Sequence, residues 1–388
     1  MRIPCRPAYA AAASAAVAAL FLFDTAAAQT WSLCNPLNTQ CPPNTALGMT
    51  VNVDFRKGGV NSFAASGSPK YDSDGVSFTV SRGGDAPQLN SLFYIMFGRV
   101  DVVMKAAPGA GIVSSLVLES DDLDEIDMEW LGSNPDEMQS NYFGKGQTTS
   151  DNRGRFHAVQ GTQTRWVKYS VVWTKDSIVW LVDDKALREL KQSDAASGQY
   201  PQTPMRIKFG AWAGGDPSFN APGTVKWARG PTDYSKGPFS MRVQTIKIAD
   251  YSTGKQYRYK DQTGSWESIE AVGGSINSNA DGKAAPIVTA TPTAGGGAPA
   301  ATTFATVPVG GIGRDGSSAT RTQTGWPWVA GASPTGGTIP SGWYMTPEGK
   351  IMRSNTGSAQ AGSRPPTLLL AVVGSLAAGV FSLLHRLC

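Results

Sequence analysis

The chain has 388 residues, a formal net charge of +4 at pH 7 and 16% charged residues. Its basic residues are scattered rather than clustered, which excludes the charge pattern typical of a nucleic-acid-binding surface. The four cysteines and two histidines do not have the spacing of zinc ligands, and we expect neither a metal site nor a cofactor.

The first 28 residues are typical of a secretory signal peptide. Arg2 and Arg6 precede an apolar run that ends in three alanines, and cleavage is predicted after Ala28. A transmembrane anchor is the alternative, but the apolar run is short for a membrane span. The mature protein is therefore predicted to be secreted.

Two cysteines remain in the predicted mature chain. Cys5 lies in the signal peptide and Cys388 in a C-terminal segment that is also predicted to be removed, so Cys34 and Cys41 are left. In a secreted chain, a close pair of this kind predicts one disulfide that closes a small loop.

Residues 29–272 have an ordinary globular composition and consist mostly of short alternating runs. "WVKYSVVW" and "IVWLVDD", separated by "TKDS", predict a β-hairpin. "FGRVDVVMKAAPGAGIVSSLVLES" predicts two strands joined by a Pro-Gly turn, and "MRVQTIKIADYSTGKQYRYKDQ" predicts two more. "KALRELKQ" is one candidate for a short helix. The pattern indicates an all-β fold, an antiparallel β-sandwich with a single core.

The segment "DEIDMEWLG" at 124–132 separates into two faces when it is interpreted as a strand. One face carries three carboxylates, Glu125, Asp127 and Glu129, and the other is mostly apolar, with Asp124, Ile126, Met128 and Trp130. We assign Trp130 to the core. Adjacent like charges cost stability, so a strand that keeps them is expected to use them.

Three interpretations of these carboxylates remain open. A solvated acidic face is one, and a calcium site is another, although calcium ligands usually come from loops. The third is glycosidic-bond chemistry, which uses paired carboxyl groups ~5–5.5 Å apart in retaining enzymes. Glu125 and Glu129 are ~13 Å apart along an ideal strand, so their side chains would have to lean together on a curved strand. We favour this catalytic interpretation.

Aromatic and polar residues in glycine-rich segments are candidates for a sugar-binding cleft. Tyr142, Trp212 and Trp227 could stack on the apolar faces of sugars, although any single tryptophan could instead pack in the core. Lys145 and Asp216 could hydrogen-bond sugar hydroxyl or N-acetyl groups, or could be solvated loop residues. We include all five among the predicted substrate-binding residues.

The composition changes after residue 272. Residues 273–355 are rich in Ala, Thr, Gly and Pro, which predicts a low-complexity, O-glycosylated stalk. Residues 356–388 contain a polar spacer and an apolar tail, and with the small residues before them they predict a glycosylphosphatidylinositol (GPI) anchor signal. Asn355 is the predicted attachment residue, with Gly357 and Ser358 as alternatives; a C-terminal membrane helix is the competing interpretation.

The motif "EIDME" and the segments around it resemble glycoside hydrolase family 16, and in particular its fungal Crh-type branch. The similarity extends to "CNPLNTQCPP", "NYFGKG", "YPQTPMRIKFGAWAGGD", "GTVKWARGPTDYSKGPFSM" and "DYSTGKQYRYKDQTGSWESI". It covers essentially the whole globular part. A five-residue motif is weak by itself, but the ordered set of segments is specific.

The resemblance implies a β-jelly-roll transglycosylase that cleaves chitin, holds the fragment covalently and transfers it to β-glucan in the fungal cell wall. Carried onto this chain, it implies that Glu125 is the nucleophile, Asp127 the assisting residue and Glu129 the general acid/base. Some members carry a cysteine-rich chitin-binding module, which two mature cysteines cannot form. We expect a monomer attached to the plasma membrane through the anchor, or located in the cell wall.

Two other functions compete with transfer. A plain endo-β-glucanase or chitinase would resolve the same covalent intermediate with water instead of a sugar. A lectin-like wall protein would use the same fold to bind carbohydrate without turnover, although the three intact carboxylates argue against it. A structural wall protein fits the stalk and the anchor but gives no reason for an organised globular domain.

Overall fold

The computed structural model describes residues 32–147 and 153–292, together with four short strands further along the chain. The chain divides into two units, Met1–Thr338 with Met345–Ile351, and Ile339–Tyr344 with Met352–Cys388. The two large sheets and the three-stranded sheet lie in the first unit. The predicted signal peptide, the anchor signal, Asn355 and most of the predicted stalk lie outside the described residues.

One of the two large sheets has seven strands, and every neighbouring pair in it is antiparallel. With strands numbered in chain order, its spatial order is β11 (Arg155–Ala158), β10 (Glu137–Phe143), β9 (Glu125–Leu131), β8 (Ile112–Ser120), β15 (Met205–Ala213), β6 (Gln88–Ser91) and β3 (Phe63–Ser66). The carboxylate segment is therefore an interior strand of this sheet.

The other large sheet has nine strands. Its order is β14 (Lys185–Lys191), β13 (Ser177–Val182), β12 (Val167–Trp173), β7 (Gly98–Lys105), β16 (Phe239–Asp250), β2 (Thr50–Asp54) and β19 (Ile287–Thr289), with β5 (Gly75–Val80) beside β16 and β4 (Lys70–Asp72) beside β5. The pair β19–β2 is parallel, and the other pairs are antiparallel.

The remaining elements are short. A three-stranded sheet is formed by β1 (Asn44–Thr45), β17 (Gln256–Tyr259) and β18 (Ile269–Val272). One α-helix, α1 (Pro222–Trp227), is present among the described residues, with 3-10 turns at Phe55–Lys57, Gln192–Asp194, Tyr234–Lys236 and Trp266–Ser268. The last four strands are β20 (Gly311–Ile312), β21 (Ser318–Ala319), β22 (Trp343–Met345) and β23 (Ile351–Arg353).

The two large sheets pack face to face around one apolar core. Trp130 on β9 lies edge-on to Tyr169 on β12, with ring centroids 4.6 Å apart, and Phe78 on β5 meets Phe209 on β15 at 5.7 Å. Trp130 is 1% exposed, so its assignment to the core is confirmed. The prediction of an antiparallel β-sandwich of the jelly-roll type is also confirmed.

The local predictions differ in outcome. The hairpin from "WVKYSVVW" to "IVWLVDD" is confirmed as β12 paired with β13. The predicted strands on either side of the Pro-Gly turn exist as β7 and β8, but they lie in different sheets. The helix candidate "KALRELKQ" is wrong, because Lys185–Lys191 pairs with β13 as β14, and pairing with a neighbouring strand outweighs the helix propensity of its residues.

Part of the segment predicted to be stalk packs on the sandwich. Asn279 is fully buried, its Nδ2 donates to the carbonyl of Asp250 at 2.6 Å, and its Oδ1 accepts from the Ala285 backbone N–H. Strand β19 then lies along β2. Composition placed the end of the globular part at residue 272, but the ordered packing continues through residues 273–292.

Candidate active site

The three carboxylates of β9 share the face that points away from the core. Residues 126, 128 and 130 of the same strand are at most 1% exposed and face the other sheet. Across the ladder, Glu125 lies opposite Glu119 of β8 and Glu129 lies opposite Ser115. Strand alternation alone therefore produces the row of acids, and the seven-stranded sheet carries it on its outward face.

The three carboxylates differ in exposure and have few partners. Glu125 is 5% exposed and Asp127 is 2% exposed, while Glu129 is partly exposed. Within residues 32–147 and 153–292, neither Glu125 Oε2 nor Asp127 Oδ1 has a hydrogen-bond partner, and no lysine or arginine forms an ion pair with any of the three. Buried polar atoms without partners are costly, which marks this row as a site rather than a surface.

Burial raises the pKa of all three groups. Burial and the negative charge of Asp127 raise the pKa of Glu125 and of Glu129 well above the usual range of a glutamate. Burial raises the pKa of Asp127 to about 7, although its hydrogen bond with Glu125 acts in the opposite direction. The row therefore holds protons near neutral pH and can combine one ionised with one protonated carboxyl group.

On the β8 side of the row, the sheet carries buried charges that sequence reasoning missed. Lys208 on β15 is 3% exposed and forms an ion pair with Glu119, and burial lowers the pKa of Lys208 to about 7. The guanidinium of Arg206 lies 5.4 Å from the Tyr94 ring. The alternation of basic and apolar residues in "RIKF" is the signal that could have identified this outward-facing pair.

On the β10 side, amide and aromatic groups flank the row. Gln139 lies opposite Glu129, and its Oε1 accepts from the indole N–H of Trp227 at 3.0 Å. Phe156 on β11 lies opposite Gln139 and is 46% exposed, with the Arg229 guanidinium 5.2 Å from its ring. Phe156 was not predicted, because nothing in its local sequence separates it from a core residue.

Trp212 and Trp227 are held together beside the row. Their rings are stacked at 6.3 Å with an interplanar angle of 26°. Trp227 is partly exposed, whereas Trp212 is 5% exposed and packs with Val113 and Leu131. Trp227 therefore offers a ring beside Glu129, and Trp212 supports that ring from a buried position.

The prediction that Tyr142 lines the cleft is wrong. Tyr142 is the cross-strand partner of Ile126, so its side chain lies on the core side of the sheet, and it is 6% exposed. The guanidinium groups of Arg153 and Arg188 lie 5.6 and 5.5 Å from the centre of its ring. The glycines after it suggested an open site, but strand register decides which face a side chain occupies.

The side chains of Lys145 and Asp216 form ion pairs and hydrogen bonds within the protein. Lys145 Nζ donates to Asp122 at 2.9 Å and to Asp124 at 2.7 Å, and its side chain is 13% exposed. Asp216 accepts from the hydroxyl of Tyr234 at 2.6 Å and from the Ser218 backbone N–H at 2.8 Å. The interpretation of Lys145 as a sugar ligand is corrected, since its ammonium group is bound to two buried aspartates. For Asp216 it stays a prediction, because a carboxylate with one hydrogen bond at each oxygen can still accept others.

Three further features concern cross-links, metals and membranes. Cys34 and Cys41 form the disulfide, with an S–S distance of 2.06 Å. No group of three or more His, Cys, Asp or Glu side chains in the described part of the chain could hold a metal ion. None of the helices in that part has both the length and the apolar character to span a bilayer.

Comparison with known proteins identifies a family. The model of glycosyl hydrolases family 16 matches residues 59–229. Crh-like protein 4 of Botryotinia fuckeliana is 54% identical over 345 residues, covering 87% of this chain and 89% of that protein. Crh-like protein 4 of Aspergillus fumigatus is 45% identical over 359 residues, covering 90% and 77%.

A solved structure shares both the fold and much of the sequence. The structure of a Crh5 transglycosylase in complex with NAG superposes with a TM-score of 0.60 at 46% sequence identity. The superposition covers 61% of this chain and 99% of that one.

Proposed function

The chain belongs to glycoside hydrolase family 16, among its Crh-like members, and on that basis we propose that it is a chitin–glucan transglycosylase of the fungal cell wall. The observation that carries the proposal is the row formed by Glu125, Asp127 and Glu129. The row combines three carboxyl groups on one strand face, without a cation partner in the described part of the chain, and a relative named for transglycosylation shares the fold.

The proposed first half-reaction cleaves the donor. In its protonated form Glu129 gives its proton to the glycosidic oxygen, while Glu125, in its ionised form, forms a bond to the anomeric carbon. The bond between the anomeric carbon and the leaving oxygen breaks, and the sugar fragment remains attached to Glu125. Asp127 lies between the two groups and couples their protonation.

The second half-reaction reverses these roles. Glu129, now ionised, takes the proton from an acceptor hydroxyl, and the acceptor oxygen bonds to the anomeric carbon as the bond to Glu125 breaks. The enzyme returns to its starting protonation state. Water as the acceptor gives hydrolysis and a glucan hydroxyl gives a hybrid polymer, so the product depends on which acceptor occupies the cleft.

The substrates are proposed to be chitin as donor and β-glucan as acceptor. Trp227 and Phe156 offer partly exposed rings beside the row, which suits stacking on sugar faces. Among the predicted substrate-binding residues, Trp227 remains a direct contact in this proposal and Trp212 its support. The buried pair Glu119 and Lys208 adds polar groups on the other flank.

The location is proposed from the terminal segments. A signal peptide at 1–28, a stalk before residue 355 and a GPI anchor at Asn355 would place a monomeric, secreted catalytic domain at the plasma membrane or in the wall. The relatives reported above are Crh-like proteins of fungi, which supports a wall-associated role.

The test uses a chitin donor and fluorescently labelled glucan oligosaccharides as acceptors. We expect a labelled product whose mass equals that of the acceptor plus one or more N-acetylhexosamine units, measured by mass spectrometry. Free reducing ends without any labelled hybrid would contradict transfer and assign the chain to the hydrolases. Retention of oligosaccharide without any cleavage would support the lectin-like alternative.

A further inference from the structure

The back of the carboxylate strand receives hydrogen bonds from the other sheet. Trp180 on β13 is fully buried, and its indole N–H donates to the backbone carbonyl of Asp127 at 3.0 Å. Arg188 on β14 donates to the backbone carbonyl of Ser140, on the neighbouring strand β10, also at 3.0 Å. One hairpin of the nine-stranded sheet therefore holds two strands of the sheet that carries the acids.

The contact with Asp127 is made at the middle of the acid row. Asp127 belongs to an interior strand paired on both sides, and a carbonyl oxygen has a second lone pair that can accept from outside the ladder. The indole N–H approaches from the core side, opposite the carboxylates. It therefore fixes the position of the strand at the residue midway between Glu125 and Glu129.

A fixed midpoint determines how the two glutamates approach each other. They are ~13 Å apart along an ideal strand, whereas retaining chemistry needs carboxyl groups ~5–5.5 Å apart. A strand whose middle is held toward the core is concave on its outward face, and side chains on a concave face lean together. Resting on the proposed function, we propose that Trp180 is a positioning residue that sets the separation of Glu125 and Glu129.

Arg188 keeps the indole in place. Trp180 and Arg188 are cross-strand partners on the hairpin, and the Arg188 guanidinium lies 4.7 Å from the centre of the Trp180 ring. The same guanidinium lies 5.5 Å from the Tyr142 ring. The stack fixes the plane of the indole, and the plane determines whether its N–H points at the Asp127 carbonyl.

The test compares Trp180→Phe with the matched control Trp173→Phe. Trp173 is also fully buried, and its indole N–H also donates to a backbone carbonyl, that of Pro201, at 2.9 Å. We expect Trp180→Phe to lower kcat for donor cleavage by about 10- to 100-fold with KM changed less than about twofold, because misplacement acts on the reacting geometry. Trp173→Phe should lose a comparable unfolding free energy and keep its kcat.

Three results overturn the proposal. They are a wild-type kcat in Trp180→Phe, an equal loss of kcat in both variants, or a loss of kcat/KM in Trp180→Phe that comes from a raised KM. If Trp180→Phe does not fold, Arg188→Lys replaces it, since a lysine cannot stack on the indole in the same plane. A lowered kcat at constant KM then supports the proposal, and an unchanged kcat contradicts it. Donor cleavage is measured with both water and glucan as acceptors, so failure of transfer in the wild type is recognised separately.

Discussion

Two neighbouring clusters of acidic residues on this chain differ in whether a cation compensates their charge. The paired cluster consists of Asp122, Asp124 and Lys145, and the cleft cluster consists of Glu125, Asp127 and Glu129. Both are largely buried, and Asp124 is followed directly by Glu125. In the paired cluster one lysine contacts both carboxylates, whereas no described residue forms an ion pair with the cleft cluster.

The paired cluster is also hydrogen-bonded on all sides. The hydroxyl oxygen of Thr203 lies 2.7 Å from Asp122 and 2.8 Å from Asp124, so its one hydrogen can donate to either carboxylate, and the Gln202 backbone N–H donates to Asp124 at 2.8 Å. Burial and the charge of Asp122 still raise the pKa of Asp124 to about 6, against the effect of Lys145. Even well-partnered carboxylates thus remain difficult to bury.

The difference indicates which acids are structural. Where the fold only needs to bury acids, it supplies a lysine and hydroxyl groups. The cleft cluster lacks this compensation among the described residues, and its buried carboxylates therefore lower the stability of the fold. A cation bound to Glu125 would weaken that carboxylate as a nucleophile, which explains why none is supplied. Residues that lower stability in this way and have strongly shifted pKa values are expected to have a function.

The largest expected effect comes from replacing Glu125, at one end of the cleft cluster, by an uncharged amide. Glu125→Gln should lower turnover of the chitin donor by at least about 10⁴-fold, because an amide cannot form the covalent intermediate. Binding of chitin oligosaccharides, measured by calorimetry, should survive. Glu189→Gln, on the exposed side of β14, is the control and should keep full activity. Equal activity in wild type and Glu125→Gln would contradict the catalytic role of the cleft cluster.

The next effect concerns the paired cluster. Lys145→Met should lower the free energy of unfolding by about 3–5 kcal/mol, because two buried carboxylates lose their cation. Denaturant unfolding followed by tryptophan fluorescence measures this change. Lys175→Met breaks an exposed pair with Asp176 and should change stability by less than about 1 kcal/mol. If the two variants lose equal stability, the paired cluster is not the structural element described here.

The smallest effect concerns the pH profile. The negative charge of Asp127 helps to raise the pKa of both Glu125 and Glu129, so Asp127→Asn should lower both pKa values. Glu129 then loses its proton at a lower pH, and both limbs of the kcat/KM profile should move to lower pH by about one unit. Asp127→Glu keeps the charge and should keep the limbs in place. A shift to higher pH in Asp127→Asn would contradict the assigned cause.

Local patterns were sufficient where one strand decides the outcome. Strict alternation in "EIDMEW" separated the acids from Trp130, and the closeness of Cys34 and Cys41 indicated their disulfide. The same kind of reasoning misplaced Tyr142, because register with Ile126 places it on the core face. It also interpreted Lys145 as a ligand, since its two aspartates lie more than twenty positions away in sequence.

By itself, then, the sequence determined the all-β class, the two-faced acidic strand and the family resemblance, since these depend on neighbours along the chain. Only the tertiary structure decided that Lys208 pairs with Glu119, that Trp227 lies beside Glu129 through Gln139, and that Trp180 holds the carbonyl of Asp127. Such contacts join residues from different strands and sheets. Strand register and the packing of one sheet on the other determine which residues meet, and a local sequence pattern does not specify either of them.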